Sequence, residues 1–379
     1  MGYPVTQSAD VLVVGAGIVG AALADALTAH GLQVLVIEQD TVGSGATAAG
    51  MGHLVAMDDN AAELALTSRS LELWRDFLAE HPEQHEYSRC GTIWVAADEE
   101  ELAAARAKAA KMCAYGLPCS MLDEQLMAQL EPRLRPGLAG GLLVHGDGLV
   151  YPPKSARILM DRARSRGAQL MAGEVRAIGD SSVQLSDGTR LSAGSVVLAA
   201  GSRCTALLPE LPVVPKKGHV MITDRYPGFV RHQLVELGYI KSAHAASGDS
   251  VAFNLQPRPT GQVLIGSSRQ FDTTDLAAEP AMMARMLRHA CSFTPALADL
   301  NILRCWTGLR AATPDGLPLI GPHAARRGLW LATGHEGLGI TTSLATAELL
   351  AAQMLGLEQS VPHEPFLPTR FTPLERARA

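Results

Sequence analysis

Three glycines, Gly15, Gly17 and Gly20, and an acid at Glu38 have the types and spacing to cradle a dinucleotide. Gly15 allows a tight turn, Gly17 lets the backbone approach a pyrophosphate, and Gly20 lets a helix pack closely on a sheet. Ile18 and Val19 then open that helix, whose unpaired N–H groups and positive dipole end suit phosphates. Glu38, followed by Gln39, would accept hydrogen bonds from the ribose hydroxyls of an adenosine. The elements that must position these residues are legible beside them. Residues 11–14 form an apolar run of strand length, and Leu23 and Leu27 fall at helical spacing. Gly31 marks the helix stop, and a second strand, 34–37, ends at Glu38.

Three further segments favour FAD over NAD as the dinucleotide. Residues 43–52, including Ser44, Thr47, Ala48, Ala49, Gly50, Met51 and Gly52, are too small to fill a core. They suit close approach of a flavin to the backbone. A buried strand at 196–201 ends in Ala200 and Gly201. Gly334, His335, Glu336, Gly337, Leu338, Gly339, Ile340 and Thr341 open the final helix. That opening would aim N–H groups and a helix dipole at the flavin N1–C2=O edge, where negative charge develops on reduction.

Composition narrows the class. The chain has 379 residues, enough for about two domains, with 47% hydrophobic residues, 18% charged residues and a formal net charge of −6. That balance disfavours nucleic acid and anionic membranes, whose phosphates would repel it. No basic run exceeds Lys216-Lys217, and no apolar stretch near the start has the length of a signal core or membrane span. A soluble, cytoplasmic protein is expected. Six cysteines without a C-x-x-C pair read as reduced core residues, and no metal site is expected.

Along the chain, periodicity predicts helices over 61–78, 99–112, 121–130, 153–165, 275–290 and 340–355, the last closed by Gly356. Strands are predicted at 92–96, 302–309 and 329–332, with short ones over 169–178 and a hairpin over 183–191 turning at Asp187-Gly188. Residues 217–265 alternate as an antiparallel sheet would. The fold class is therefore α/β: a discontinuous Rossmann-like FAD-binding domain (1–85, 148–212 and 308–360) plus an antiparallel-sheet substrate domain (86–147 and 213–307). Residues 361–379 read as an extended C-terminal arm.

The chain resembles the D-amino-acid oxidase-like FAD oxidoreductases, which include glycine and sarcosine oxidases. The likeness spans 11–353 and is most specific over 306–321, Trp306-Thr307-Gly308-Leu309-Arg310 onward through Pro314-Asp315-Gly316 to Gly321. It implies that Arg310 binds a substrate carboxylate, with Gly308 beside the flavin and Val175 in backbone contact with adenine. Segments 48–54 and 334–343 resemble one branch, the flavin subunits of D-hydroxyproline dehydrogenase, opine dehydrogenases and hydrogen cyanide synthase. Arginine suits the implied role, because its planar fork holds a carboxylate by two parallel hydrogen bonds. That grip would orient Cα–H toward flavin N5 for hydride transfer.

Other polar residues carry competing readings. Arg310 itself suits a structural ion pair. His53 suits a flavin or substrate contact, or a hydrogen-bonded core position. His335 and Glu336 read better as helix-capping or solvated residues than as an acid–base pair. Asp58-Asp59 reads as an N-cap region, and Lys216 to His219 as a solvated strand end rather than a cation over the flavin. Tyr239 and Lys241, and likewise Gln256 and Arg258, are candidate pocket residues. Met282, Met283 and Met286 read as core. The function expected is an FAD-dependent dehydrogenase oxidising a small secondary or D-amino acid, D-hydroxyproline first, that passes electrons to partner subunits carrying flavin or iron–sulfur. The rivals are a stand-alone oxidase releasing hydrogen peroxide, a flavin-binding scaffold subunit, and an NAD dehydrogenase.

Overall fold

Val11, Leu12, Val13 and Val14 present apolar side chains on both faces of one strand, so both faces must be covered. In the computed structural model, which describes residues 9–238 and 248–371, this strand (Ala9–Val14) lies inside an eight-stranded sheet. Its main path runs Leu319–Pro322, Leu329–Thr333, Arg190–Leu198, Ala9–Val14, Val34–Glu38, Gln169–Ala172. All neighbours on that path are parallel except the first pair. Val11 and Val13 pack with helices Ile18–Ala29, Pro152–Ser165 and Gly339–Leu355. Leu12 and Val14 pack on the other face with Ile178, Val183 and Cys204.

The second eight-stranded sheet runs Ile302–Ala312, Val214–Arg225, Gln262–Arg269, Ser250–Pro257, Gln233–Glu236, Thr92–Ala96, Gly140–Val144, Cys119–Leu122. It is antiparallel except where Gln233–Glu236 pairs in parallel with Thr92–Ala96. That junction joins two separate passes of the chain. The first sheet draws its strands from 1–85, 148–212 and 308–360, and the second from 86–147 and 213–312. The strand Ile302–Ala312 therefore carries Arg310 across the boundary expected at 307/308.

Several local expectations change. Residues 121–130 are not one helix: Cys119–Leu122 is a strand, and the helix begins at Glu124 because Asp123 caps it, accepting from Leu126 N at 2.7 Å. The helix expected over 275–290 is Pro280–Phe293, since proline at the first turn sets the start. It packs Met282, Met286 and Phe293 into the second core, with Met283 partly buried. Asn60, not Asp58-Asp59, caps the helix Ala61–Leu78. Asp58 is instead buried in an ion pair with Lys108. Of the cysteines only Cys204 is buried, and Cys113 is exposed. The described part of the tail packs down as two short 3-10 turns, with Phe366 buried and Arg370 bonded to Asp315 at 2.7 Å.

Asp147, fully buried between two short strands, accepts from the Ala56 N–H at 3.4 Å, while its Oδ2 has no partner. Burial pushes its carboxyl up to about 7, against the opposing pull of Thr92, the Ala56 N–H and Lys108. The folded chain thus holds a proton there that the unfolded chain releases near pH 4, so this group makes stability fall as pH rises from 4 to 7. Asp147→Asn is expected to remove on the order of 2 kcal/mol of that slope between pH 5 and 7. Denaturant melts at the two pH values check it, and an unchanged slope would sink the assignment. Among the described residues, no helix is long and apolar enough to cross a membrane.

Candidate active site

The chain turns at Gly15, whose φ is 104°. A Cβ on Gly20 would stand 1.9 Å from Gly15 O, so the glycine there is what lets the helix touch the turn. The Ile18 N–H donates to Thr47 Oγ1 at 3.0 Å, which ties the small-residue segment to the helix start. The next N–H groups, of Val19 and Gly20, have no acceptor within the helix. Glu38 accepts from Ala16 N at 2.6 Å and from Asp40 N at 2.9 Å. This holds its carboxylate at the cavity edge with lone pairs to spare.

A cavity of about 1240 Å³ begins at this end, between Glu38, Gln39 and Val175, and continues past Gly15, Gly17 and Gly201 to Arg310. Single small-ligand sites occupy roughly 300–1,000 Å³, so this space accommodates a dinucleotide with a small substrate. The residues fit FAD. A Cβ at Gly201, with φ 55°, would meet nothing within 4 Å, so the wall is open where the cofactor would lie. Gly334, His335, Gly337, Leu338, Gly339 and Ile340 line the cavity where the helix Gly339–Leu355 begins. Two helix N-termini therefore open into one cavity, suited to the phosphates and to the electron-rich edge of a flavin.

At the Arg310 end, strand Ile302–Ala312 is paired with Val214–Arg225, and Gly308 sits so close to Ala49 that a Cβ there would stand 2.4 Å from Ala49 Cβ. The Arg310 guanidinium lies close against Gly218: a Cβ there would fall 2.6 to 2.8 Å from its Nη1, Nη2 and Cζ. Its Nη1 donates to Ser268 O at 2.9 Å. His53 lines the same cavity, and its buried Nε2 has no partner. Burial, aided by the Arg310 charge, pushes its pKa down to about 4, so the ring is neutral at physiological pH. Asn254 Oδ1 is likewise buried without a partner at the cavity wall. These orphaned atoms lie where a bound ligand could satisfy them.

Most of the expected site residues line this one cavity: Ser44, Thr47, Ala49, Gly50, Met51, Gly52 and Ala200 join those already named. Three do not. Gly20 acts through packing, Ala48 is exposed on the outer side of its short helix, and Thr341 uses its hydroxyl on His53 O at 2.9 Å. His335 is neither solvated nor a cap. It is buried with Nε2 3.1 Å from Thr346 Oγ1, and burial alone lowers its pKa to about 4. Glu336, at φ 47°, pairs with Lys216 at 3.2 Å. Lys216 to His219 is no strand end: it lies within strand Val214–Arg225, paired with Ile302–Ala312 on one edge and bridged to Gln270 at Lys217 on the other. Lys217 is fully buried against Glu279, and His219 is buried against Ser268. Gln256 and Arg258 point away from the cavity. Gln256 bonds Gln233, and Arg258 bonds Val150 O and Glu86. Tyr239 and Lys241 lie outside the described residues.

Trp94, Asn254, Arg269 and Phe271 also line the cavity and escaped the sequence reading. Trp94, Asn254 and Arg269 come from three different strands of the second sheet, with Phe271 just past the last of them, so no local spacing joins the three. The only signal was the polar run Ser267-Ser268-Arg269-Gln270 ending an apolar strand.

A two-body fold with a glycine cradle, two convergent helix N-termini and an arginine at the far end defines an FAD-binding oxidoreductase. The chain belongs to the DAO family of FAD dependent oxidoreductases, whose pattern it matches over residues 10–353. It is 30% identical to glycine oxidase of Geobacillus kaustophilus, over 96% of this chain and 98% of that protein. The crystal structure of glycine oxidase from that organism superposes with a TM-score of 0.86 at 28% identity, over 96% and 99% of the two chains. Hydrogen cyanide synthase subunit HcnC of Pseudomonas aeruginosa is 27% identical over 96% of both chains. L-proline dehydrogenase from P. horikoshii shares the fold, with a TM-score of 0.87 at 24% identity over 97% and 98%.

Proposed function

We propose that this chain oxidises the C–N bond of a small secondary or D-amino acid and passes the electrons to a partner subunit carrying flavin or iron–sulfur. D-hydroxyproline is the first substrate to try. The observation that carries the reading is the Arg310 guanidinium, packed close against Gly218 at the far end of a dinucleotide-sized cavity. Arg310 holds the substrate carboxylate by its fork. The neutral His53 ring and Asn254 offer polar atoms to the same ligand without adding a charge. FAD, when bound, supplies the two-electron oxidation. The residues of the first sheet, with Gly15, Gly17, Ile18, Val19, Glu38, Val175, Gly201 and the loop 334–340, would hold that cofactor, and the second sheet would supply the substrate wall. The cytoplasm suits such an enzyme.

A stand-alone oxidase is the second reading, favoured by the full-length likeness to glycine oxidases. One experiment separates them. The purified chain, loaded with FAD, is mixed anaerobically with D-hydroxyproline, proline, sarcosine and glycine, and flavin bleaching is followed. Air is then admitted and peroxide measured. Bleaching followed by slow, substoichiometric peroxide supports the dehydrogenase. Rapid stoichiometric peroxide supports the oxidase, and no bleaching with any amino acid overturns both.

A further inference from the structure

Four charged side chains share the cavity wall around Arg310. Lys216 is its cross-strand partner in the antiparallel pair, so the two side chains leave the sheet on the same face. Glu336 lies between Lys216 Nζ at 3.2 Å and Arg269 Nη2 at 3.6 Å. Lys216, Arg269 and Glu336 are 16%, 13% and 17% exposed at the side chain, and all three line the cavity with Arg310. Asp315, which also lines the cavity, is engaged with Arg370, and two carboxylates off the wall are engaged with Lys217 (Glu279) and Gln270 (Asp249). Among the described residues, this stretch of wall sets the three cations Lys216, Arg269 and Arg310 against the one carboxylate of Glu336, an excess of two positive charges. A ligand with one carboxylate matches only one of them, and at a largely buried wall the attraction for a second carboxylate is stronger than in water, which offsets the cost of desolvating it.

We propose that the preferred substrate is a dicarboxylate, an amino acid whose nitrogen substituent or side chain carries a second carboxyl group. Arg310 holds the α-carboxylate, and Arg269 with Lys216 holds the other. Arg269 supplies the planar fork and Lys216 a point charge, while Glu336 keeps the two cations apart and sets where the second carboxylate fits. This deepens the amino-acid reading above and rests on it.

The test uses the FAD-loaded chain and non-oxidisable probes, with affinity read from perturbation of the flavin absorbance. Succinate and glutarate are titrated against propionate and butyrate. The better dicarboxylate is expected to bind at least about thirtyfold more tightly than the better monocarboxylate. Arg269→Gln is expected to reduce that ratio below about threefold. Lys216→Met reads the same ratio should Arg269→Gln lose its FAD. A wild-type ratio near one overturns the proposal, as does a ratio that both variants leave intact, in which case the two cations serve the cofactor or the fold. Arg310→Ala is run alongside and is expected to weaken both probe classes. If it weakens neither, the amino-acid reading itself fails, a result distinct from loss of the dicarboxylate preference alone.

Discussion

Arg310→Ala is expected to lower kcat/KM for the amino-acid substrate by roughly 10²- to 10⁴-fold, mainly through KM. Each charge-assisted hydrogen bond contributes roughly 1.5–3 kcal/mol, and a carboxylate held by two loses roughly 3–6 kcal/mol when the fork is removed. The side chain is already held for the task. Nη1 donates to Ser268 O at 2.9 Å, and the guanidinium packs against Gly218, where a Cβ would stand 2.6 to 2.8 Å from it. Little ordering remains to be done on binding, so most of the interaction appears as affinity. Arg310→Lys should recover only part of the loss, since an ammonium cannot reproduce two parallel donors. Anaerobic bleaching rates against substrate concentration measure both variants. An unchanged concentration dependence in Arg310→Ala would remove this residue from the substrate site.

Gly20→Ala should cost the protein its cofactor. A Cβ there would stand 1.9 Å from Gly15 O and 2.9 Å from Gly15 C. Both are backbone atoms, so no rotamer change relieves the clash, and the helix Ile18–Ala29 must move away from the turn. Overpacking of this kind costs roughly 1–3 kcal/mol, and a helix shifted by even part of that misaims its N-terminus. FAD affinity is expected to fall at least about tenfold, which corresponds to about 1.4 kcal/mol. The absorbance ratio at 450 and 280 nm after dialysis reads it. Gly146→Ala is the control, because a Cβ at Gly146 meets nothing within 4 Å. Equal flavin retention in both variants would show that the close contact is not needed for the cradle.

The cradle was legible in the sequence because every part of it is local. The strand, the turn at Gly15, the helix and Glu38 follow one another within 30 residues, and each residue type answers a demand of its own backbone position. The small-residue run at 43–52 was readable for the same reason, since side chains that cannot fill a core must adjoin something else. Short-range signals failed where two rules competed. Asp123 ended a helical pattern that periodicity alone would extend back to Met121, and Pro280 did the same for residues 275–279. At His335 the error was one of environment. Polar residues at a helix start are usually wet, yet this one is buried, because the loop that carries it pairs with Ala312.

Sequence by itself determined that this protein carries a glycine turn, helix start and acid suited to a dinucleotide near its N-terminus, that its chain alternates between two sheet-forming bodies, and that Arg310 is a candidate for a carboxylate. Those properties follow from residue type, spacing and periodicity, which act over a few residues. Tertiary structure decided which charges share a wall. Lys216, Arg269, Arg310 and Glu336 are separated by 26 to 120 positions, and only strand pairing in the second sheet and the return of the chain before its last helix bring them together. The physical reason is that a strand's register fixes its cross-strand neighbours, and register depends on the whole sheet rather than on the strand alone.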